Sequence, residues 1–359
     1  KPSGVWIMAY TTIDNPELFF QTKLYAGNST ARSITFDGSK NMQPDWVWIK
    51  ERDDAINHYS YDSVRGVDKR LQQNITNAES DTDTTWFRSF DTNGFTIGTE
   101  DNINDTGDNY VAWCWKAGGS ASSNSNGSIS SSVSANTTAG FSIVSWTGDG
   151  SNATIGHGLG AVPKWIIVKN REASEAWAVY HGSNTSAPET DYLILNTDAA
   201  TVDGNTTWND TAPTSSVFTV STSPAVNGNT QGMIAYCFSE VKGYSKFGSY
   251  IANGNADGPF IYTGFRPAYV MIKRTDSSQQ WGIVDSKRDV DNPAQFHLFA
   301  ESSQAEGGAS SYNNFDLLSN GIKMRSNDQW TNASGGTYVY MAFAESPFVN
   351  SNGIPNNAR

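Results

Sequence analysis

PDWVWIK at Pro44–Lys50 returns as PKWIIVK at Pro163–Lys169 and as PAYVMIK at Pro267–Lys273. Each is a proline followed by aromatic and β-branched residues and closed by lysine, a run that reads as a strand. Proline is tolerated at the head of a strand because its missing N–H lies outside the ladder. The same order of features surrounds all three runs. A turn after an aromatic precedes them, at Tyr25-Ala-Gly-Asn28, Trp146-Thr-Gly-Asp149 and Tyr250-Ile-Ala-Asn253. YDSVRG from Tyr61, YHGSN from Tyr180 and VDSKRD from Val284 follow them. YVAWCW from Tyr110, MIAYCF from Met233 and YVYMAF from Tyr338 close the copies. Pro44 to Asp62, Pro163 to His181 and Pro267 to Asp285 are each 18 residues apart, and Asn74 to Trp86, Asn196 to Trp208 and Ala300 to Tyr312 are each 12 apart. Two fixed intervals held across three copies establish an internal repeat.

Each copy spans roughly 100 residues, the size of a sandwich domain and far longer than a solenoid repeat. Further strands are expected at GFTIG, VFTVS and GIKMR, with Asn93-Gly94 and Asn320-Gly321 supplying tight turns. The expected fold is all-β, with three tandem related β-sandwich domains of jelly-roll or concanavalin-like kind. The first occupies residues 1–117 with a lead-in, the second 139–246, and the third 247–359 with a tail. Residues 118–138, GGSASSNSNGSISSSVSANTT, are rich in Gly, Ser and Asn and read as a flexible or extended linker. EVKGYSKFGSY joins copies two and three directly, so those two are expected to form a rigid pair and the first to be held more loosely.

Composition agrees with many short strands. Apolar residues are only 37%, but 12 Trp, 15 Tyr and 17 Phe bury large areas per residue, and 32 Gly serve turns. A net charge of -12 without a basic run argues against a nucleic-acid partner. No apolar stretch approaches the roughly 18 residues that span a bilayer, so no membrane insertion is expected. Cys114 and Cys237 lie inside apolar strand patterns and read as buried thiols.

Catalytic constellations are missing from the pattern. His58, His157, His181 and His297 have no zinc spacing, and no nucleophile elbow or phosphate loop occurs. His157 reads as a solvated turn residue. Asp62 with Arg65, and Asp285 with Arg288, read as local pairs bracing a loop rather than as glycosidase acids. The oxygen-rich loops at 104–109, 149–152 and 253–257 lack a calcium-loop register and are explained by turn chemistry. No enzyme, metal or cofactor is expected. The aromatics at Trp46, Trp165, Tyr269 and at Trp86, Trp208, Tyr312 recur by position and read as core. Trp330 differs: it lies in the polar run SNDQWTNASGG, where its ring, with Asn327 and Asp328 beside it, forms a candidate sugar-binding site.

The strings LYAGNST, QPDWVWIKERD, YVAWCWKAGG and AYCFSEVKGYSKFGSY resemble a protein family frequent in marine bacteriophage genomes, virion-structural or tail-fibre-like, some of whose members carry concanavalin or laminin-G type sandwiches. The resemblance covers residues 20 to 347. It implies a non-enzymatic component of the virion surface, foremost a tail fibre or appendage that attaches to the host, with capsid decoration or a secreted carbohydrate-binding module as alternatives. The implied partners are other virion proteins and host-surface glycans; a homo-oligomer is left open. No residue role carries over, and copy two departs from the pattern with YHGSN where the others have DSxR.

Overall fold

The computed structural model describes residues 9–308 and 314–356 and is all-β, with several sheets and no helix longer than four residues among those described. Tyr312 lies outside the described residues. No helix there is long and apolar enough to cross a membrane.

Each repeat motif forms the middle of a large sheet. In copy one, strand Trp46–Glu51 lies between Asn109–Trp115 and Tyr59–Asp62, with Phe20–Ala26 beyond Asn109–Trp115. Copy two places Trp165–Asn170 between Gly232–Phe238 and Ala178–His181, and copy three places Phe265–Arg274 between Thr337–Pro347 and Trp281–Asp285. Register is shared as well as order. Trp46 sits opposite Asp62 and Trp115, Trp165 opposite His181 and Phe238, and Tyr269 opposite Asp285 and Phe343.

These central strands do not alternate between buried and exposed. Every residue of Trp46–Glu51 and of Trp165–Asn170 is buried, because both faces of each large sheet are covered. Val47 and Ile49 face a smaller sheet made of Arg32–Thr35, Gly94–Ile97 and Phe87–Asp91. Ile166 and Val168 face the pair Ala153–Gly156 and Val217–Val220, and Val270 and Ile272 face Phe260–Tyr262, Gly321–Met324 and Phe315–Leu318. The GFTIG, VFTVS and GIKMR runs therefore lie in the outer sheets.

The opposite faces meet in one shared core. Trp46, Trp48, Trp113 and Trp115 of copy one pack with Trp165, Trp177, Tyr236 and Phe238 of copy two and with Tyr269, Met271, Trp281 and Phe343 of copy three. Trp46 stacks on Tyr236 at 4.2 Å, and Phe20 on Phe343 at 5.3 Å. Each such pair contributes about 0.5–1.5 kcal/mol beyond the area it buries. Copy one is therefore built into the same core as the other two, contrary to the loose attachment expected from sequence. The stretch read as a flexible or extended linker holds two extended strands. Ser122–Asn124 and Ser131–Asn136 are strands that extend the sheet of copy two beyond Phe141–Thr147. Val133 and Ala135 pack against the outer core of copy two, but they are small and the Gly/Ser/Asn composition masks them.

Candidate functional site

The loop after each central strand reaches the neighbouring copy, and the contacts close a ring. At the seam between copies one and two, Asp62 and Arg65 form a fully buried pair, and Tyr236 donates its hydroxyl to Asp62 at 2.7 Å. Arg65 continues to Glu79 at 3.0 Å, and Glu79 binds Arg171 of copy two at 2.6 Å. At the seam between copies three and one, Asp285 and Arg288 repeat the arrangement at 2.6 Å, with Trp113 donating to Asp285 at 3.0 Å. Arg288 reaches Glu306 at 2.9 Å, and Glu306 binds Arg52 at 2.6 Å. The Asp–Arg pairs do brace their own loops, since the backbone N–H of Arg65 and of Arg288 donates to the same aspartate. They also join copies, which the sequence did not disclose.

The third seam, between copies two and three, has the same backbone and different chemistry. Thr201 N–H donates to Thr275 O at 2.9 Å, as Glu79 N–H does to Arg171 O and Glu306 N–H to Arg52 O, both at 2.7 Å. The side chains are neutral: His181 stands for aspartate, Asn184 for arginine, Thr201 for glutamate and Thr275 for the second arginine. His181 is buried, and its Nε2 lies 3.2 Å from Tyr340 O. Burial pushes its imidazole down to about 4, which keeps it neutral.

One further position ties all three seams, and the motif lysine ties two of them. Trp177 donates to Gln72 O, Trp281 donates to Ile194 O and Thr197 O, and His58 Nε2 lies 3.1 Å from Ser302 O. The motif lysines Lys50, Lys169 and Lys273 are buried, and burial pushes each down to about 8. Lys169 donates to Thr76 O and Lys273 to Asp198 O, each across a seam.

Replacing arginine and glutamate by asparagine and threonine removes side-chain volume, and a groove of about 790 Å³ lies along the neutral seam. Asn184, Thr185 and Thr201 of copy two line it together with Tyr250, Thr275 and Asp276 of copy three. Asn184 Oδ1 accepts from Thr201 Oγ1 at 2.8 Å, while its Nδ2 is buried and has no hydrogen-bond partner. A buried amide donor left unpaired costs about 1–3 kcal/mol unless something supplies an acceptor. Tyr250 stacks on Tyr338 at 5.0 Å and gives the groove an aromatic wall. Hydroxyls, one amide, one carboxylate and two tyrosine rings are the chemistry that recognises a polyhydroxylated ligand.

A family model described as a domain of unknown function (DUF7483) matches residues 15–347. The chain belongs to that family. No curated protein matches it. The matched span contains all three copies and all three seams, so the DUF7483 unit is the whole ring rather than one copy.

The site expected at Trp330 is not formed. Trp330 is only 3% exposed and packs in the outer core of copy three, 5.8 Å from Phe299 and 5.5 Å from His297. Asp328 caps the short helix Gln329–Asn332 by accepting from Trp330 N, and Asn327 is exposed. The ring fits because position 282 is glycine: a Cβ there would lie 2.0 Å from the Trp330 ring. A polar sequence around a tryptophan therefore hid a core residue. His157, expected in solvent, is buried, its Nε2 3.2 Å from Thr214 O. Of the aromatics read as core, Trp46, Trp165, Tyr269 and Trp208 are buried, and Trp86 is half-buried under the Arg70 guanidinium. Cys114 and Cys237 are buried free thiols.

Proposed function

We propose that this chain is a non-enzymatic surface protein of a virion, a tail fibre or appendage component that attaches to the host through glycans held in the neutral seam. The finer fold reading belongs to the same proposal: three tandem β-sandwiches, each a large sheet with its outer sheet, joined into one ring. The observation that carries the attachment role is the groove at Asn184, Thr201 and Thr275, where two seams hold buried ion networks and the third holds hydroxyls and an unpaired amide. The resemblance of the repeat strings to virion proteins supplies the setting. A body stabilised by a shared aromatic core suits an exposed particle component, and its loops remain available for contact.

The test rebuilds the missing ions. A Thr201→Glu, Thr275→Arg variant restores two of the four groups that the sibling seams carry, the glutamate and the arginine that pairs with it across the seam, and fills the groove. The native chain is expected to bind members of a panel of bacterial surface glycans, and the variant to stay folded and lose that binding. Binding that persists unchanged in the folded variant places the ligand elsewhere; no binding by the native chain removes the attachment role. Gold-labelled antibody on intact particles tests the setting, with label on tail or fibres expected. Label over the head favours capsid decoration, and absence of label on any particle returns the chain to a secreted sugar-binding module. Release of reducing ends from host polysaccharide would overturn the non-enzymatic reading.

A further inference from the structure

Copy one ends its central strand with a buried carboxylate, one of whose oxygens is unpaired. Glu51 is 2% exposed, pairs in register with Tyr110, and its Oε1 has no hydrogen-bond partner. Asp54, in the loop after the strand, and Asp108, in the turn before Asn109–Trp115, bring their carboxylates to it. One oxygen from each of the three lies within 4.8 Å of the others. The adjacent Lys50 does not neutralise the group by hydrogen bonding, because its Nζ donates to the carbonyls of Glu51 and Asp54.

The same place in the other copies shows what it accommodates. Register equates Glu51 opposite Tyr110 with Asn170 opposite Met233 and Arg274 opposite Tyr338. Two residues before those partners stand Asp108, Gln231 and Gly336. Copy two closes the place with a neutral pair, Asn170 Nδ2 donating to Gln231 Oε1 at 2.7 Å. Copy three fills it with a cation: the Arg274 guanidinium pairs with Asp276 at 3.0 Å and passes beside Gly336, where a Cβ would lie 3.3 Å from its Nε. Copy one has neither an amide pair nor an arginine there, and gathers three acids.

We propose that Glu51, Asp54 and Asp108 bind a calcium ion that takes the place of the copy-three guanidinium. The donors are all oxygen, which selects a hard cation, and calcium accepts irregular sets of 6–8 oxygens at about 2.3–2.6 Å. Oxygens on opposite sides of such an ion are up to about 5 Å apart, which matches the span of the cluster. Waters complete the shell on the side of Asp54, which is exposed. The ion would join the strand end to the turn before Asn109 and leave the seam groove unaffected, so it stands apart from the glycan reading.

Calorimetric titration of the full chain with calcium chloride tests the site. One saturable equivalent is expected, with a dissociation constant of about 0.1–1 mM, the range of extracellular modules. Asp54→Asn, at an exposed position, is expected to weaken it by about tenfold or more. The double variant Glu51→Asn, Asp108→Gln installs the pair that copy two already carries and is expected to remain folded by circular dichroism while binding no calcium. Absence of saturable binding by the native chain overturns the proposal, as does binding left unchanged by Asp54→Asn. Magnesium is expected to bind about tenfold more weakly; equal affinity for both ions would overturn the calcium assignment.

Discussion

Asp62 and His181 occupy one position of the repeat, the first in a buried ion pair and the second neutral. Asp62 is fully buried with Arg65 and accepts from Tyr236. Asp62→Ala leaves the guanidinium buried and short of its counter-charge, so a loss of about 3–5 kcal/mol is expected by urea unfolding. His181 is neutral when folded and is held near 4, against 6.5 for the free group. Between those values the unfolded chain binds a proton that the folded chain does not. The stability His181 contributes is thus complete above pH 6.5 and is lost as pH falls toward 4, by on the order of 3 kcal/mol. His181→Gln is expected to unfold with a shallower acid dependence than the native chain over that window. Equal slopes for the two would show that the imidazole is protonated in the fold.

At the level of elements, the short helical turn before each closing strand does the work that its polar sequence concealed. Asn104, Asn227 and Asn332 end these turns, are buried, and each accepts from the backbone of the first repeat turn, at Asn28, Asp149 and Asn253. That turn was visible in sequence because it follows an aromatic. The buried asparagine was not, because a four-residue helix carries no periodicity. The central strands were legible through their β-branched and aromatic runs, and their order through the repeat. The segment at 131–136 was not, since serine-rich pairing strands look like linker. The groove escaped for a different reason. It is defined by residues that are smaller than their counterparts across two seams, a contrast that exists only once the copies are in contact. Trp330 belongs to this scale too. Trp330→Ala is expected to cost about 3–5 kcal/mol through the cavity it leaves and to have no effect on glycan binding. A stable variant with lost binding would contradict the burial of the ring.

For the whole molecule, the shared core decides how it unfolds. Excising copy two as residues 139–246 exposes Trp165, Trp177, Tyr236 and Phe238 together, so that fragment is expected to aggregate or lack fixed tertiary structure by near-ultraviolet circular dichroism. The full chain is expected to melt in one calorimetric transition with matching van't Hoff and calorimetric enthalpies. Three separated transitions would mean that the copies fold alone.

Arg52 and Glu306 close the ring between its first and last copies within a single polypeptide. In an assembly of three identical subunits, one gene would write every interface three times, and a change helpful at one would be imposed on all. Joining the copies in one chain frees each interface to be edited alone. Two can stay ionic and carry the rigidity, while the third can exchange charge for hydroxyls without the body coming apart. Near-symmetry thus becomes a reservoir of spare stability, and novelty can enter at the one place where the copies differ.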